Sequence, residues 1–195
     1  MKEVKEPTVT YDKVYTYSDY LKFDFDYMVE LIRGKIFKMT PAPSMRHQRV
    51  SSNLPTLIGM HLRGTSCQLF SAPTDIVLPV DDLKRERSHT VVQPDLCIFC
   101  DLSMLKEQAA FGPPTLVVEI LSPHTRKKDI QLKYDIYEEA GVQEYWVIMP
   151  REELLEQFVL MDGKYQRIQT YTKEDSVAAH AVPGLIVALN EVFVE

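Results

Sequence analysis

Apolar residues recur at helical spacing in two long stretches of the chain. Residues 44–64 carry the first set, which is Val50, Leu54, Leu57, Ile58 and Leu62. This spacing predicts a helix that ends at Gly64, and Pro55 is expected to kink or split it. KKDIQLKYDIYEEAG, residues 127–141, predicts a second helix that ends at Gly141.

A third, shorter pattern lies near the amino terminus. SDYLKFDFDY, residues 18–27, predicts a short amphipathic helix, and Ser18 is its expected N-cap. We also expect a short helix near residues 104–110.

Apolar and β-branched runs predict the strands. They are CQLFSAPTDIVLPV, VVQPDLCIFC, PTLVVEILS, EYWVIMP and the final GLIVAL. VELIRGKIFKM predicts a hairpin that turns at Arg33-Gly34. EQFVLMDGKYQRIQTY predicts another, with the strong two-residue turn Asp162-Gly163.

The order of these elements predicts the fold class. A helix, three strands, a helix and a strand, with hairpins at both ends, indicate an α/β fold with a mixed α+β sheet covered by helices. We expect one domain over residues 1–195, with a core at about 44–150. An amino-terminal helix and hairpin (17–40) and a carboxy-terminal hairpin and strand (154–193) are expected to flank that core.

Composition narrows the class of protein. No run approaches the roughly 18 apolar residues of a membrane span. MKEVKEPTVTYDKVY lacks the apolar core of a signal peptide, so we expect a cytoplasmic protein without a membrane partner. The net charge of −6 counts against a broad basic face for nucleic acid. It does not exclude one, because acids that bind a metal ion make the bare sequence look more acidic than the loaded protein.

The cysteines do not predict a disulfide framework. Cys97 and Cys100 form a CxxC inside a predicted strand, where residues three apart point to opposite faces. We therefore interpret Cys97 and Cys100 as ordinary core cysteines rather than as a metal or redox site, and we expect no disulfide framework from these two and Cys67.

Glu119 is the most unusual residue, because it is a charge inside the apolar run TLVVEILSP. An ionised carboxylate in such a place costs several kcal/mol unless a partner compensates it. Asp95 follows Pro94, which belongs at a strand start, edge or bulge, so its carboxylate can turn into a cleft beside the next strand. Two alternatives remain open for Glu119: a metal ion shared with Asp95, for which Mg²⁺ is suitable, or a structural ion pair with a lysine or arginine.

A resemblance to a known protein family favours the metal ion over the structural ion pair as the partner of Glu119. The pair PD at 94–95, followed by E at 119 on the next strand, resembles the PD-(D/E)XK superfamily of restriction-endonuclease-like nucleases. The chain also resembles the Uma branch of restriction endonucleases from about residue 17 to 193. The stretches that carry this likeness are VELIRGKI, PSMRHQRV, VVQPDLCIF, PTLVVEILSPHTRKKDIQLKYDIYEEAGVQEYWVIMP, DGKY and VPGLIVALNEVF.

The resemblance implies a restriction-endonuclease-like core and metal-dependent cleavage of a phosphodiester. Asp95 and Glu119 would be metal ligands, with the backbone carbonyl of Ile120, and Mg²⁺ would be the ion, with Mn²⁺ as a substitute. The superfamily motif has a lysine two positions after the acid, but this chain has Leu121 at that position. We expect Lys133, on the following helix, to take its place as the third catalytic residue, as in relatives of this branch. The alternative is an exposed lysine paired with a neighbour on its own helix.

Other residues match polar positions of the branch. Glu30, His47 and Asp75 would line the cleft and orient ligands, or they are structural. Two basic segments are candidates for nucleic-acid contact or for ordinary solvated surface. They are Lys84, Arg85 and Arg87 in one loop, and Arg126, Lys127 and Lys128 at the start of the second helix.

These features predict an endonuclease that hydrolyses nucleic acid, with DNA as the expected substrate, by in-line attack of water. A homodimer is expected for cutting two strands. Two rivals remain: a nuclease-fold protein that has lost activity and binds or regulates, and a metal-dependent hydrolase of small phosphate esters. The sequence carries neither a Gly-x-Ser-x-Gly turn nor a phosphate-binding glycine loop.

Overall fold

Three β-sheets and two long helices organise the fold. The computed structural model describes residues 13–39, 44–80, 87–122 and 127–194, with the backbone only for 127–129. The helices are α1 (Tyr17–Tyr20), α2 (Met45–Leu62), α3 (Lys127–Ala140) and α4 (Leu189–Val192). The strands are β1 (Val29–Ile32), β2 (Lys35–Lys38), β3 (Gln68–Ser71), β4 (Ile76–Val77), β5 (Val91–Val92), β6 (Leu96–Phe99), β7 (Ala110–Phe111), β8 (Leu116–Ile120), β9 (Glu144–Met149), β10 (Leu154–Met161), β11 (Lys164–Thr172), β12 (Ser176–Ala178) and β13 (Ile186–Ala188).

The largest sheet contains the expected core. Its six strands lie in the order β11-β10-β9-β8-β6-β3, and β8 and β9 are parallel while the other pairs are antiparallel. Along the chain, α2, β3, β6, β8, α3 and β9 follow one another, which is the predicted helix, three strands, helix and strand. The predicted fold class is confirmed.

Both faces of this sheet are covered, so its central strands are apolar on both sides. One stripe of α2, formed by Val50, Leu54, Ile58 and Leu62, packs on one face together with the carboxy-terminal segment. On the other face lie α3, through Ile136, Tyr137 and Ala140, and the second sheet, ordered β2-β1-β5-β4-β7. Each fully buried leucine or isoleucine contributes about 1.5–3 kcal/mol, so this packing fixes the position of both helices.

Two predicted single strands are in fact each divided between the two sheets. CQLFSAPTDIVLPV forms β3 in the six-stranded sheet and β4 in the five-stranded sheet, with a cis peptide bond between Ala72 and Pro73. VVQPDLCIFC likewise forms β5 and β6, with Pro94 between them. Proline cannot donate a ladder hydrogen bond, so each strand ends where the chain changes sheet. Asp75 and Asp95 therefore lie where the two sheets meet.

The predictions of short helices were partly wrong. In place of a helix over residues 18–27 the chain forms only the four-residue α1, which begins at Tyr17. Its N-cap is Thr16 rather than Ser18, because Thr16 and Asp19 form a capping box. The loop expected to hold a helix near 104–110 has a 3-10 turn at Leu102–Met104 and then β7. The long helix α2 matches its prediction and continues through Pro55 without a split.

Both predicted hairpins are present. Arg33, Gly34, Asp162 and Gly163 all have positive φ angles, between 48° and 76°, as two-residue turns with two left-handed positions require. The final predicted strand is shorter than expected: β13 pairs with β12 in a separate two-stranded sheet and leads into α4.

The cysteines differ from the expectation in one respect. Cys97 is a buried free thiol on the α3 face, whereas Cys100 packs on the α2 face, so the predicted opposite orientation is confirmed. Cys67 and Cys100 form a disulfide, because the antiparallel pairing of β3 with β6 brings them together. The expectation of no disulfide was therefore wrong, and so was the interpretation of Cys100 as an ordinary core cysteine. None of the helices in the described ranges is long and apolar enough to cross a membrane.

Candidate active site

Asp95 stands at the point where the chain enters the six-stranded sheet. The next residue, Leu96, pairs with Val118 of β8, so Asp95 lies beside Glu119 and Ile120. Its Oδ2 accepts a hydrogen bond of 2.7 Å from the backbone N–H of Ile120. Pro94 thus acts as predicted, since the break in the strand lets the carboxylate cap a neighbouring strand instead of continuing a ladder.

Glu119 points from the middle of β8 toward α3, and the residue is only 9% exposed. Its Oε1 accepts from the Lys133 ammonium at 2.9 Å and from the Tyr137 hydroxyl at 2.7 Å. Lys133 and Tyr137 are four residues apart on α3, which places them on one helix face. The compensating partner of this buried carboxylate is therefore a lysine from the next helix, supported by a tyrosine.

Lys133 is not an exposed helical lysine. Its side chain is 16% exposed, and the ammonium lies 2.9 Å from Oε1 of Glu30 as well as 2.9 Å from Oε1 of Glu119. Glu30 is itself buried in β1. The amino-terminal hairpin therefore supplies the second carboxylate that holds this lysine.

The charges of this group influence one another. Burial alone would lower the pKa of Lys133, but Glu119 and Glu30 outweigh it and hold that pKa above its usual value. Burial raises the pKa of Glu119; Lys133 opposes this, while Asp95 and Glu30 add to it. Lys133 is therefore a fixed positive charge, whereas protonation of Glu119 is easier than for a carboxylate in water.

Gln93 links Glu30 to a further acid. Its backbone N–H donates to Oε1 of Glu30 at 2.8 Å, and its side-chain amide donates to Oδ1 of Asp75 at 2.6 Å. The Tyr20 hydroxyl also donates to Oδ1 of Asp75, at 2.9 Å. Burial and the charge of Asp75 raise the pKa of Tyr20, so this hydroxyl remains a donor. In the described part of the chain, Oε1 of Gln93 is the only buried side-chain polar atom without a hydrogen-bond partner.

His47 approaches Asp95 from the other side. It lies in the first turn of α2, where its backbone N–H donates to the capping hydroxyl of Ser44. The imidazole Nε2 lies 3.4 Å from Oδ1 of Asp95, and Nδ1 lies 3.1 Å from Oγ of Ser51. Because His47 is buried on the sheet-facing side of α2, its ring is held against this carboxylate.

The structure thus brings six predicted residues into one set of polar contacts. They are Glu30, His47, Asp75, Asp95, Glu119 and Lys133. The sequence interpretation missed Tyr20, Gln93 and Tyr137 as members of this network. Two of the three had a signal in the sequence: Gln93 directly precedes the PD pair, and Tyr137 lies one helical turn after Lys133.

The predicted nucleic-acid contacts lie mostly beyond the described residues. Arg87 is described and is exposed to solvent. Lys84, Arg85 and Arg126 lie outside the described residues, as do the side chains of Lys127 and Lys128.

The donor set around Asp95 fits a hard divalent cation. Among the described residues no three His, Cys, Asp or Glu side chains group closely enough to hold a metal ion by themselves. Mg²⁺ commonly takes only one or two carboxylates and completes its shell with water and substrate oxygens. Both contacts to Glu119 fall on Oε1, which leaves Oε2 available to an ion. Two carboxylates, Glu30 and Glu119, contact the one lysine, and Asp95 and Asp75 lie in the same network, so the cluster has an excess of negative charge for a cation to neutralise.

Comparison with known proteins assigns the chain to one protein family. The model of the Uma2 family, described as "Putative restriction endonuclease", matches residues 15–190. An uncharacterized protein of Synechocystis sp. is 27% identical over 146 residues, a match that covers 75% of this chain and 66% of that protein, just under two thirds.

One solved structure shows the same architecture. A crystal structure from Anabaena variabilis, described as a putative nuclease belonging to DUF820, superposes with a TM-score of 0.72. The superposition covers 91% of this chain and 97% of that chain at 18% sequence identity. At that identity the likeness supports the fold and nothing finer.

Proposed function

The chain belongs to the Uma2 family of restriction-endonuclease-like proteins, and we propose that it is a magnesium-dependent endonuclease that hydrolyses phosphodiester bonds of DNA. One observation carries this proposal. Asp95 and Glu119 come from adjacent strands, and the ammonium of Lys133 is directed at Glu119 from the neighbouring helix. Two acids that can hold a divalent ion, with a lysine that can stabilise developing negative charge, suit metal-assisted phosphodiester hydrolysis.

The carboxylates of Asp95 and Glu119 and the carbonyl of Ile120 would hold Mg²⁺, with Mn²⁺ as a substitute. When bound, the ion supplies Lewis-acid assistance to the phosphodiester and to the attacking water. The hydrogen bond from Ile120 N–H to Asp95 fixes one carboxylate before any ion arrives. His47 restricts the other oxygen of the same carboxylate from the α2 side.

Lys133 stabilises the negative charge that develops on phosphate oxygens as water attacks. Its raised pKa keeps it protonated, so it acts as a charge and not as a general base. Glu30 is a positioning residue, because it holds the ammonium from the side opposite Glu119. Without Glu30, the long lysine side chain would sample other rotamers.

The position of Lys133 also bears on the inactive alternative. The leucine at 121 favours a degenerate protein when only the strand is considered. The ammonium beside Glu119 supplies the same group from α3, which supports an active enzyme instead.

A plasmid-nicking assay tests the proposal. We expect the wild-type protein to nick supercoiled DNA with Mg²⁺ or Mn²⁺ and to stop when EDTA removes the ion. Asp95→Asn and Glu119→Gln should lose cleavage and Mn²⁺ binding together. A protein that hydrolyses a chromogenic phosphodiester but leaves DNA intact would be a small-ester hydrolase, and one that cleaves RNA alone would contradict the DNA assignment.

A test of Lys133 must not leave two buried carboxylates without a cation, because breaking a buried ion pair costs about 3–5 kcal/mol of stability. A single substitution of the lysine would do so. Glu30→Gln combined with Lys133→Met removes one charge of each sign. We expect cleavage to fall by at least about 100-fold, as for loss of a transition-state donor, with unchanged Mn²⁺ affinity. Lys164→Met removes an exposed lysine paired with Glu138 and should leave the rate unchanged. Wild-type cleavage by the double variant would remove Lys133 from the mechanism.

A further inference from the structure

Two exposed arginines flank the histidine that α2 directs into the candidate site. Arg46 and Arg49 are exposed, whereas His47 between them is buried. Residues three apart on a helix are neighbours on its surface, so the two guanidinium groups lie on one face. The first turns of α2 therefore present a histidine inward and two arginines outward.

The arginines line a small cleft at the edge of the sheet that carries the site. The cleft is lined by Arg46, Arg49, Val50, Pro150, Glu153 and the segment 192–194. Pro150 directly follows β9, which runs parallel to β8, so the carboxyl ends of both strands share one edge. Ile120 pairs with Ile148, and Leu121 N–H donates to Ile148 O at 2.8 Å. The cleft thus lies on the same edge as Glu119 and Ile120.

Arg49 differs in its partners from two other surface arginines, Arg33 and Arg167. Arg33 is bound to Glu139, and Arg167 is bound to Glu156 at 3.2 Å. Arg49 forms no ion pair with any residue in the described ranges, and the acid that shares its cleft, Glu153, is bound to Lys173 at 2.8 Å. Its guanidinium is available to a ligand from solution.

The charge of the site explains why such groups are needed. Four carboxylates and one lysine form the candidate site, and the whole chain carries a net charge of −6. A polyanion that approaches this edge meets repulsion unless positive groups lie along its path. Guanidinium groups bind phosphate through two parallel hydrogen bonds, which makes arginine well suited to that position.

We propose that Arg46 and Arg49 bind the phosphodiester backbone of DNA beside the bond that the candidate site cleaves. This inference rests on the proposed endonuclease function and assigns it a substrate contact outside the catalytic network. Contacts of this kind hold the duplex in register without reading its sequence. They also make affinity depend on salt, because each neutralised phosphate releases counterions.

Binding of a fluorescein-labelled DNA duplex, followed by anisotropy in EDTA over a series of salt concentrations, tests the proposal without cleavage. The full chain is used as wild type, Arg49→Ala, Arg46→Ala/Arg49→Ala and Arg63→Ala. Arg63 is the matched control, since it is exposed at the opposite end of α2, as the residue that follows the helix, about 21 Å from Arg49 at 1.5 Å per residue.

We expect the double variant to bind about ten-fold more weakly at low salt, and its plot of log affinity against log salt to flatten by about 0.9 for each lost phosphate contact. Arg49→Ala should show part of both effects, even if the double variant folds poorly. Arg63→Ala should match the wild type in affinity and slope. Thermal unfolding of each variant separates loss of contact from loss of fold.

Two results overturn the inference. Either the arginine variants keep the wild-type affinity and slope, or Arg63→Ala loses as much as Arg49→Ala. If the wild type nicks plasmid with Mg²⁺ while the arginine variants bind normally, the contact is wrong and the function stands. If the wild type neither binds nor nicks DNA, the arginine contact and the proposed endonuclease function are both wrong.

Discussion

Tyr137 donates a 2.7 Å hydrogen bond from its buried hydroxyl to Oε1 of Glu119. The same oxygen receives the ammonium of Lys133, so two groups from successive turns of α3 fix one carboxylate. Burial, followed by the charge of Glu119, raises the pKa of Tyr137 well above its usual value, which keeps this hydroxyl a donor.

Tyr137→Phe removes that donor and keeps the ring. We expect the free energy of unfolding to fall by about 1.5–3 kcal/mol, the range for a hydrogen bond to a charged group. The cleavage rate should fall by about ten-fold, the equivalent of about 1.4 kcal/mol, because Glu119 is held less firmly for the metal.

Tyr134→Phe is the matched control for this change. Tyr134 lies on the same helix, and its hydroxyl donates to Tyr165 O at 3.3 Å, outside the site. Its removal should leave the rate unchanged. Equal rates for Tyr137→Phe and wild type would show that the tyrosine has no part in holding Glu119.

The pH dependence of stability follows from Glu119. Burial, opposed in part by Lys133, raises its pKa in the folded protein, so the folded state binds the proton more tightly than the unfolded state. The contribution to the free energy of unfolding is complete below the ordinary pKa of about 4.3 and is lost as pH rises through the folded pKa. In EDTA, wild type should therefore lose stability relative to Glu119→Gln by at least about 1.4 kcal/mol, one pKa unit, between about pH 4 and about pH 8.

At the proposed metal site a divalent ion should reverse this trend, because it would compete with the proton for the carboxylate. Mn²⁺ should raise the melting temperature of the wild type more at about pH 8 than at about pH 5. Urea unfolding in EDTA measures the loss of stability with pH, and thermal unfolding with and without the ion measures the shift in melting temperature. Parallel pH curves for wild type and Glu119→Gln in EDTA contradict the raised pKa.

Glu144 is a third buried glutamate beside Glu30 and Glu119, and its surroundings indicate a structural role. Its Oε1 accepts from Trp146 Nε1 at 2.7 Å and from Gln157 Nε2 at 2.6 Å. Its Oε2 accepts from the backbone N–H groups of His180 and Ala181 at 2.8 and 2.7 Å. Glu144 therefore fastens the loop between β12 and β13 to the six-stranded sheet.

Glu144→Gln keeps the shape of the side chain, but its amide N–H₂ group faces N–H donors that the carboxylate oxygen accepted from. We expect the free energy of unfolding to fall by about 2–3 kcal/mol, with Mn²⁺ affinity unchanged. Glu156→Gln, which alters an exposed pair with Arg167, should change stability by less than about 1 kcal/mol. A Glu144→Gln protein of normal stability but reduced Mn²⁺ binding would place Glu144 in the site instead.

Thiol titration tests the cysteine arrangement. Burial raises the pKa of Cys97 to about 12, and Cys67 is bonded to Cys100. Without reductant, the folded protein should expose no reactive thiol, and the urea-unfolded protein should expose one. After reduction and unfolding all three cysteines of the chain should react. Three reactive thiols in the unreduced, unfolded protein would show that the disulfide is absent.

Residues with an unusual local context could be found from the sequence. Glu119 is a charge in an apolar run, and Asp95 follows a proline, so both attract attention without any structure. Lys133 required the family resemblance, because nothing in its own neighbourhood shows that α3 lies over β8.

The remaining members of the network depend on contacts across the two sheets. Gln93 joins Glu30 to Asp75 only because β5 lies between β1 and β4, a pairing that hydrophobic spacing does not encode. The break of two predicted strands at Pro73 and Pro94 was missed for a related reason, since apolar runs on both sides read as one strand.

Glu30 and Lys133 stand more than 100 positions apart in the chain, yet the carboxylate of one holds the ammonium of the other. During synthesis the hairpin that carries Glu30 leaves the ribosome long before α3 does. A nascent chain that ends ahead of residue 133 therefore carries Glu30 and Glu119 without the lysine that compensates them. Under the proposed mechanism, cleavage of nucleic acid must wait until α3 has emerged and folded against the hairpin.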